Sequence, residues 1–188
     1  MEFGPRALGN RSIIADPRRK DMQSKLNRKV KFRESFRPFA PSVLEEYASD
    51  FFDTDTKSPY MLLTSQVKNV KVGKNDSSDL LLQLNNIESK LPAVTHVDGS
   101  ARLQTVSSEV NNKYYELINE FYKLSKCPVV INTSFNVRGE PIVESPIDAI
   151  RCFLNTNIDT LVLGSFVVEK QDQEIDINLD YEIQPGLD

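Results

Sequence analysis

The sequence predicts a single α/β (α+β) domain built on a mixed, twisted sheet. Segments typical of strands and helices alternate along the 188 residues without an internal repeat or a linker, and the length suffices for one sizeable core. The most informative segment is Cys127 to Ile142, where a β-branched run changes abruptly to polar residues. This change is typical of a buried strand that carries polar groups to a site.

The amino-terminal segment predicts a structured loop followed by a helix. Gly4-Pro5 and Gly9-Asn10 are turn signals within residues 1–14. Asp16-Pro17 is typical of a helix start, because aspartate caps the free N–H groups and proline fits the first turn. We therefore expect a helix from about Pro17 to Val30.

Two prolines, Pro38 and Pro41, stiffen the basic segment KFRESFRPFAPSVL. We expect this segment to be extended, with a helix restarting near Ser42. Residues 60–67 are typical of a strand, and the polar residues 68–86 predict an exposed loop or hairpin.

The second half of the chain predicts two strands and a helix before the signature segment. Asp98-Gly99 is a turn signal between two strand-like pieces within residues 91–106. Ser108 is the expected cap for a helix that ends near Ser125. We expect its core-facing side to carry Tyr115, Ile118, Phe121 and Tyr122.

The chain after the signature segment predicts one more helix and one more strand. Ser145-Pro146 should open a helix with Ile147, Ile150 and Leu154 on one apolar face. Residues 160–168 should form a continuous strand. We place the domain at residues 1–170 and expect 171–188 to be an acidic tail or an edge strand.

The net charge of −4 conceals an uneven distribution. Residues 1–40 carry eleven Lys or Arg against four acidic residues, so the remainder carries −11. A basic amino-terminal segment of this kind suits a nucleotide or a nucleic acid. A dedicated RNA-binding module would be basic overall with exposed aromatics for stacking, whereas this chain is acidic and lacks tryptophan. Composition therefore argues against nucleic acid as the partner.

Cysteine usage and hydropathy favour a cytoplasmic protein with no resident metal. The sequence has no apolar run long enough to span a bilayer and no apolar centre of a secretory signal. Cys127 and Cys152 lie in apolar elements, and His96 is the sole histidine. We expect two buried free thiols and predict no metal site.

Polar residues near the end of the signature strand form the candidate site. Asn132, Ser134, Asn136 and Arg138 alternate at the period of a strand, so they could face one ligand. If Lys31-x-Arg33 lies beside Ser134-x-Asn136, the four side chains would form a cradle for phosphate.

Four segments carry a family resemblance that extends from Glu2 to Lys170. The chain resembles the carboxy-terminal, YrdC-like domain of the O-carbamoyltransferases that modify antibiotics and nodulation factors. The resemblance implies an open, twisted sheet flanked by helices, with Lys31, Arg33, Ser134 and Asn136 matching the Lys-x-Arg and Ser-x-Asn signatures. The segments are EFGPRALGNRSIIADPR, KFRESFRPFAPSVL, PAVTHVDGSARLQTV and INTSFNVRGEPIVESPIDAIRCF.

What the resemblance implies is a domain that activates a carbamoyl group. Such a domain binds carbamoyl phosphate and ATP with Mg²⁺ and forms carbamoyladenylate. An amino-terminal ATPase-like domain, in the same or a separate chain, then transfers the carbamoyl group to a hydroxyl. We expect that domain to be the protein partner.

Each candidate residue has an expected role within this chemistry, in which guanidinium and ammonium groups stabilise phosphate charge. We expect carbamoyl phosphate to be held by Arg6, Arg37, Arg102, Asn132 and Ser134. The expected contacts of the ATP phosphates are Lys31, Arg33, Ser134, Asn136 and Arg138.

Arg37, Arg102 and His96 are the expected catalytic residues. His96 has a structural alternative, because a lone histidine most often has no catalytic role. Asp98 is either a turn residue or a ligand of Mg²⁺.

Two other function classes remain open from the sequence. The first is a non-catalytic nucleotide- or RNA-binding module related to the tRNA threonylcarbamoylation factors. The second is a domain that is inert alone and serves as one face of a complex with the transferase domain.

Overall fold

A five-stranded mixed sheet organises the part of the chain that the structure, a computed structural model, describes: residues 2–4, 6–35, 37–72 and 87–173. Two 3₁₀ turns, Glu45–Tyr47 and Lys170–Asp172, accompany the longer elements. In chain order those elements are β1 (Glu2–Phe3), β2 (Arg6–Ala7), β3 (Ser12–Ala15), α1 (Met22–Lys29), β4 (Ala40–Leu44), α2 (Ala48–Phe51), β5 (Leu63–Gln66), β6 (Lys71–Val72), β7 (Ile87–Glu88), β8 (Ser100–Val106), α3 (Asn112–Ser125), β9 (Val129–Ser134), α4 (Pro146–Leu154), β10 (Thr160–Leu163) and β11 (Phe166–Glu169).

The sheet order is β3-β9-β4-β8-β5, and the signature strand β9 lies inside it. The pair β4 and β8 is parallel, whereas the other three neighbouring pairs are antiparallel. This arrangement is an open mixed sheet and confirms the predicted fold class.

Hydrophobic side chains cover both faces of the sheet. On one face, Tyr114 and Ile118 of α3 pack against Leu44, Val106 and Val130. The larger core on the other face brings α1 and α4 against the alternate strand residues, which include Ile13, Val43, Leu103, Val129 and Ile131. The period-two alternation of the strands thus separates two cores.

The predicted helix boundaries were wrong at α1 and near Ser42. The helix begins at Met22, because the Asp16 carboxylate accepts hydrogen bonds from the backbone N–H and the guanidinium of Arg18 and closes a turn. Ser42 lies in the strand β4, whose pairing with β8 begins there, directly after Pro41. Proline lacks the N–H that such pairing requires.

The third helix begins later than predicted. Asn111, rather than Ser108, caps α3, since its side chain accepts a hydrogen bond from Tyr114 N at 3.3 Å. Tyr114, which was not predicted on the core face, is buried together with Ile118.

The start of α4 was predicted correctly, but its buried face was not. Ser145 and Asp148 form a reciprocal capping box at the N-terminus of the helix. Ile147 and Ile150 are 61% and 41% exposed. The buried face of α4 instead carries Ala149, Cys152 and Phe153.

The strands predicted within 60–67, 91–106 and 160–168 were confirmed only in part. Residues 160–168 form a hairpin of β10 and β11, because Gly164 turns the chain with φ +62°. Within 91–106 only Ser100–Val106 is a strand, whereas β5 confirms the strand within 60–67. β6 and β7 pair as a hairpin would, and 73–86 lie outside the described residues.

Of the acidic tail expected at 171–188, residues 174–188 lie outside the described part of the chain. The described residues include no helix with the length and apolar character needed to cross a membrane. Cys127 and Cys152 are both buried free thiols, as predicted.

The loop between β2 and β3 packs tightly on α3. Gly9 has φ +108°, and a Cβ atom there would lie 2.3 to 2.7 Å from three ring atoms of Tyr114. Tyr114 is itself buried. The loop therefore requires glycine for both backbone conformation and space.

Replacing Gly9 with alanine should lower the free energy of unfolding by about 2 kcal/mol or more, because the methyl group overlaps the Tyr114 ring. Urea unfolding would measure the loss. Gly164→Ala is the matched control, since Gly164 also has positive φ but a Cβ atom there would meet nothing within 4 Å. Equal losses for the two variants would contradict the packing explanation.

Candidate functional site

One face of the sheet changes from apolar to polar along its strands. Leu44 and Val106 are neighbours beneath α3, and Ser42 and Gln104 form the next pair on that face. One step further along this face, Asn132 lies opposite Ala40. The strands therefore carry their polar groups to one end of the sheet.

A cavity of about 390 Å³ opens at this end and is called here the arginine cavity. It brings together β2, the segment after α1, β8 and β9 from distant parts of the sequence. Its described lining contains no aspartate or glutamate. Its polar lining residues are Arg6, Arg33, Arg37, Arg102, Asn132, Thr133 and Ser134.

A smaller cavity of about 150 Å³ adjoins it and is called here the lysine cavity. Lys31, Asn136, Arg138 and Gly139 line it and do not line the arginine cavity. Arg33, Arg37 and Ser134 line both. The residues expected to bind carbamoyl phosphate and those expected to bind ATP thus lie in neighbouring cavities with a common wall.

Lys31 connects the end of α1 with the end of β9. Its side chain is buried, and its Nζ donates to the backbone oxygens of Ser134 at 2.5 Å and Asn136 at 3.0 Å. Nζ also contacts Ser134 Oγ at 3.2 Å and Asn136 Oδ1 at 2.8 Å. The Lys-x-Arg and Ser-x-Asn pairs therefore meet directly, and Lys31 holds the turn after β9 in place.

Burial lowers the pKa of Lys31 to about 7, and the positive charge of Arg33 acts in the same direction. The three N–H groups of the ammonium are shared among the four surrounding oxygens. The charge of this side chain is therefore sensitive to pH near neutrality.

Arg6, Arg37 and Arg102 have no carboxylate partner within the described part of the chain. The pKa of Arg102 is lowered, first by burial and then by the positive charge of Arg6. Arg102 Nη2 lies 3.8 Å from Met61 Sδ, which is a weak acceptor. A bound anion would relieve the repulsion between the two guanidiniums.

A buried amide network holds Asn132, which lines the arginine cavity. Asn132 is 1% exposed, and its Nδ2 donates to Ala7 O at 3.0 Å and to Gln104 Oε1 at 2.7 Å. Ser42 Oγ donates to the same Gln104 oxygen at 2.5 Å. Asn132 Oδ1, in contrast, has no donor among the described residues. A ligand N–H group would satisfy this acceptor.

Gln104 and Ser42 line neither cavity, but they form the hydrogen-bond network that holds Asn132, and neither was predicted there from the sequence. Gln104 Nε2 donates to Leu8 O at 3.3 Å, so it fixes the segment that carries Arg6. The alternation of Arg102 and Gln104 was a usable signal, because both side chains lie on the same face of β8. Ser42 offered no comparable signal, since it was expected in a helix.

Comparison with known proteins identifies the family of this chain. Residues 1–170 match the family described as Carbamoyltransferase C-terminus. The chain belongs to this family. The match confirms the resemblance that the four sequence segments indicated.

Relatives of this carbamoyltransferase C-terminal domain are considerably longer proteins. The chain is 55% identical to an uncharacterized protein of Synechocystis sp. over 92% of its own length, and 49% identical to nodulation protein NolO of Bradyrhizobium diazoefficiens over 90%. It is 44% identical to nodulation protein U of Sinorhizobium fredii over 73%. The matched part covers 29%, 29% and 22% of these relatives.

In this carbamoyltransferase C-terminal domain, His96 lines neither cavity. His96 lies in the turn before β8, with Nδ1 3.3 Å from Asp98 Oδ1 and a side chain 48% exposed. Asp98 is a turn residue as expected, since its Oδ1 accepts from Ser100 N at 2.9 Å. Hydrogen bonds from Ser100 lower the pKa of Asp98.

The described lining residues of the two cavities include no aspartate or glutamate that could bind Mg²⁺. The described residues also contain no group of three His, Cys, Asp or Glu side chains that could hold a metal ion. Mg²⁺ prefers carboxylate, phosphate and water oxygens. These residues therefore do not form a Mg²⁺ site by themselves.

Replacing Lys31 with methionine should change how stability depends on pH. The folded pKa is about 7 and the ordinary value is 10.5, so the unfolded chain binds more protons between these values. The free energy of unfolding of the wild type should therefore rise with pH across this window, relative to Lys31→Met. Urea unfolding at several pH values would measure the difference.

Lys29→Met is the matched control, because Lys29 lies in the same helix but is exposed. It should leave the pH profile of the wild type unchanged. Parallel profiles for the wild type and Lys31→Met would show that Lys31 does not titrate in this window.

Proposed function

We propose that this domain activates a carbamoyl group by binding carbamoyl phosphate and ATP and forming carbamoyladenylate. The observation that supports this proposal is the pair of cation-rich cavities that share Arg33, Arg37 and Ser134. A reaction between two phosphate compounds needs two anion sites whose occupants can meet. The common wall provides that proximity.

The proposed chemistry proceeds in two steps. Hydrolysis of carbamoyl phosphate breaks the bond to its phosphate and yields carbamate and inorganic phosphate. A carbamate oxygen then attacks the α-phosphorus of ATP, and pyrophosphate leaves. Both steps move negative charge among phosphate oxygens, which guanidinium groups stabilise.

The arginine cavity is the proposed site for carbamoyl phosphate. Arg6, Arg37 and Arg102 would bind its phosphate oxygens, because the planar guanidinium can donate two parallel hydrogen bonds. Ser134 lies at the wall between the cavities and would contact the same ligand. Asn132 would accept a hydrogen bond from the carbamoyl NH₂ group.

The lysine cavity is the proposed site for the ATP phosphates. Arg33 and Arg138 would bind phosphate oxygens, together with Asn136 and Ser134. Lys31 would supply positive charge and hold the Ser134–Asn136 turn, since its ammonium already contacts four oxygens. Mg²⁺ would enter with ATP, bound to the nucleotide phosphates and water.

His96 receives no step in this scheme, because it lines neither cavity. The transfer of the carbamoyl group to a hydroxyl is assigned to an ATPase-like amino-terminal domain. The greater length of the relatives supports the existence of such a domain in their chains. Since both substrates are cytoplasmic metabolites, the proposal places the reaction in the cytoplasm.

Arg37→Ala and Arg102→Ala should each raise the KM for carbamoyl phosphate about tenfold or more, because each removes charge-assisted hydrogen bonds to phosphate. Pyrophosphate release that depends on carbamoyl phosphate, with ATP and Mg²⁺ present, would measure the effect. The control is Arg19→Ala, since Arg19 forms a surface ion pair with Asp21. Wild-type kinetics in both cavity variants would refute the assignment.

Asn132→Leu should abolish discrimination between carbamoyl phosphate and acetyl phosphate. Acetyl phosphate has a methyl group where carbamoyl phosphate has NH₂, so it cannot donate to Asn132 Oδ1. We expect the wild type to prefer carbamoyl phosphate about tenfold or more, and the variant to lose that preference. Competition calorimetry with both compounds would measure the ratio of affinities.

Gln104→Leu is the matched control for Asn132→Leu. It disrupts the same buried network but leaves the free acceptor of Asn132 in place. This variant should weaken both ligands while keeping their ratio. A wild-type chain that binds both compounds equally would remove Asn132 from the recognition of the amide.

A further inference from the structure

Asn27 is a buried residue outside both cavities whose side chain contacts the segment that lines them. It lies in the last turn of α1 and is 0% exposed. Its Nδ2 donates to Arg37 O at 2.8 Å and Ser35 O at 3.2 Å. Its Oδ1 accepts from Arg33 Nε at 2.7 Å. Both ends of the amide thus bind the chain that follows α1.

The segment 31–37 depends on such contacts, because its described residues belong to no helix or strand. Phe32 has φ +49°, so the chain reverses directly after α1. The backbone N–H of Arg33 returns to Asn27 O at 3.0 Å. Asn27 therefore replaces the backbone ladder that would otherwise define this segment.

Arg33 is held from two sides. Asn27 Oδ1 binds its Nε, and the ring of Phe39 lies 4.9 Å from its Cζ in a cation–π contact. Arg33 and Arg37 both line the common wall of the two cavities. A displacement of this segment would therefore move two cations of the anion site together.

The amide suits this task better than a carboxylate would. Aspartate at this position could not donate to the carbonyl oxygens of Ser35 and Arg37. Its charge would also offset that of the Arg33 guanidinium. Asparagine orients Arg33 without placing a negative charge beside its guanidinium.

We propose that Asn27 is a positioning residue for anion binding, which acts through Arg33 and Arg37 without touching the ligand. The proposal rests on the proposed function for the identity of the anions, namely phosphate groups of the two substrates. Its distinguishing consequence is that Asn27 should have no effect on affinity once both arginines are removed.

Nuclear magnetic resonance would test the positioning itself. In the wild type, the Arg33 Nε–H group should give a resolved, slowly exchanging signal, because it donates to a buried oxygen. Asn27→Ala should lose this protection. A protected Arg33 signal that persists in Asn27→Ala would overturn the proposal, whether or not the chain binds any substrate.

Calorimetry with pyrophosphate would test the consequence for binding. We expect Asn27→Ala to raise the Kd for pyrophosphate about tenfold. The same change in an Arg33→Ala/Arg37→Ala background should produce no further loss. An equal loss in both backgrounds would show a general effect on folding and would overturn the positioning role.

Asn155→Ala is the matched control, because Asn155 donates to Arg151 O at the end of α4 and lines neither cavity. It should leave both the Arg33 signal and the pyrophosphate affinity unchanged. If Asn27→Ala does not fold, Asn27→Gln keeps the amide one methylene further out and should show the same weakened affinity.

The failure of this proposal is distinguishable from the failure of the proposed function. If pyrophosphate affinity falls as expected but no carbamoyl-dependent reaction occurs, Asn27 still positions an anion site and the reaction is wrong. If the wild type binds no pyrophosphate, both the anion site and the binding role of Asn27 are overturned.

Discussion

The contact of Lys31 with Ser134 and Asn136 is the interaction on which the site depends. It joins the chain after α1 to the chain after β9, which are about a hundred residues apart in sequence. The two cavities share the wall between these segments. Burial of an ammonium is costly unless oxygens surround it, so four acceptors in one place specify this junction closely.

Sheet register then decides which polar residues reach the junction. A shift of β9 by one residue would turn Asn132 and Ser134 to the opposite core and bring Ile131 to the site. Pairing with both β3 and β4 prevents such a shift. The apolar residues of the same face lie beneath α3, so one face contributes to stability at one end and to the site at the other.

The predictable parts of this structure are those with strong local patterns. The signature strand and the start of the helix at Ser145-Pro146 followed from a β-branched run and a helix-start signal. The proximity of Lys31 to Ser134 was only the condition for a phosphate cradle, which the family resemblance favoured. The irregular segment 31–37 did not follow from such patterns, because buried side-chain bonds from Asn27 determine its conformation. Pro41 shows the same limit, since the pairing of β4 with β8 depends on a distant strand. The hairpin at Gly164 was missed although Gly164-Ser165 is a local turn signal.

Neutral groups hold Lys31 Nζ and Arg33 Nε at the site. On the surface, Arg18, Arg19 and Lys25 pair with carboxylates. At the site, Lys31 contacts carbonyl, hydroxyl and amide oxygens, and Arg33 Nε contacts the amide of Asn27. Amide oxygens orient a cation without neutralising it, whereas a carboxylate would compete with an anionic ligand. The positive charge of Arg6 lowers the pKa of the neighbouring Arg102 guanidinium, and an anion bound there, as proposed, would relieve this repulsion.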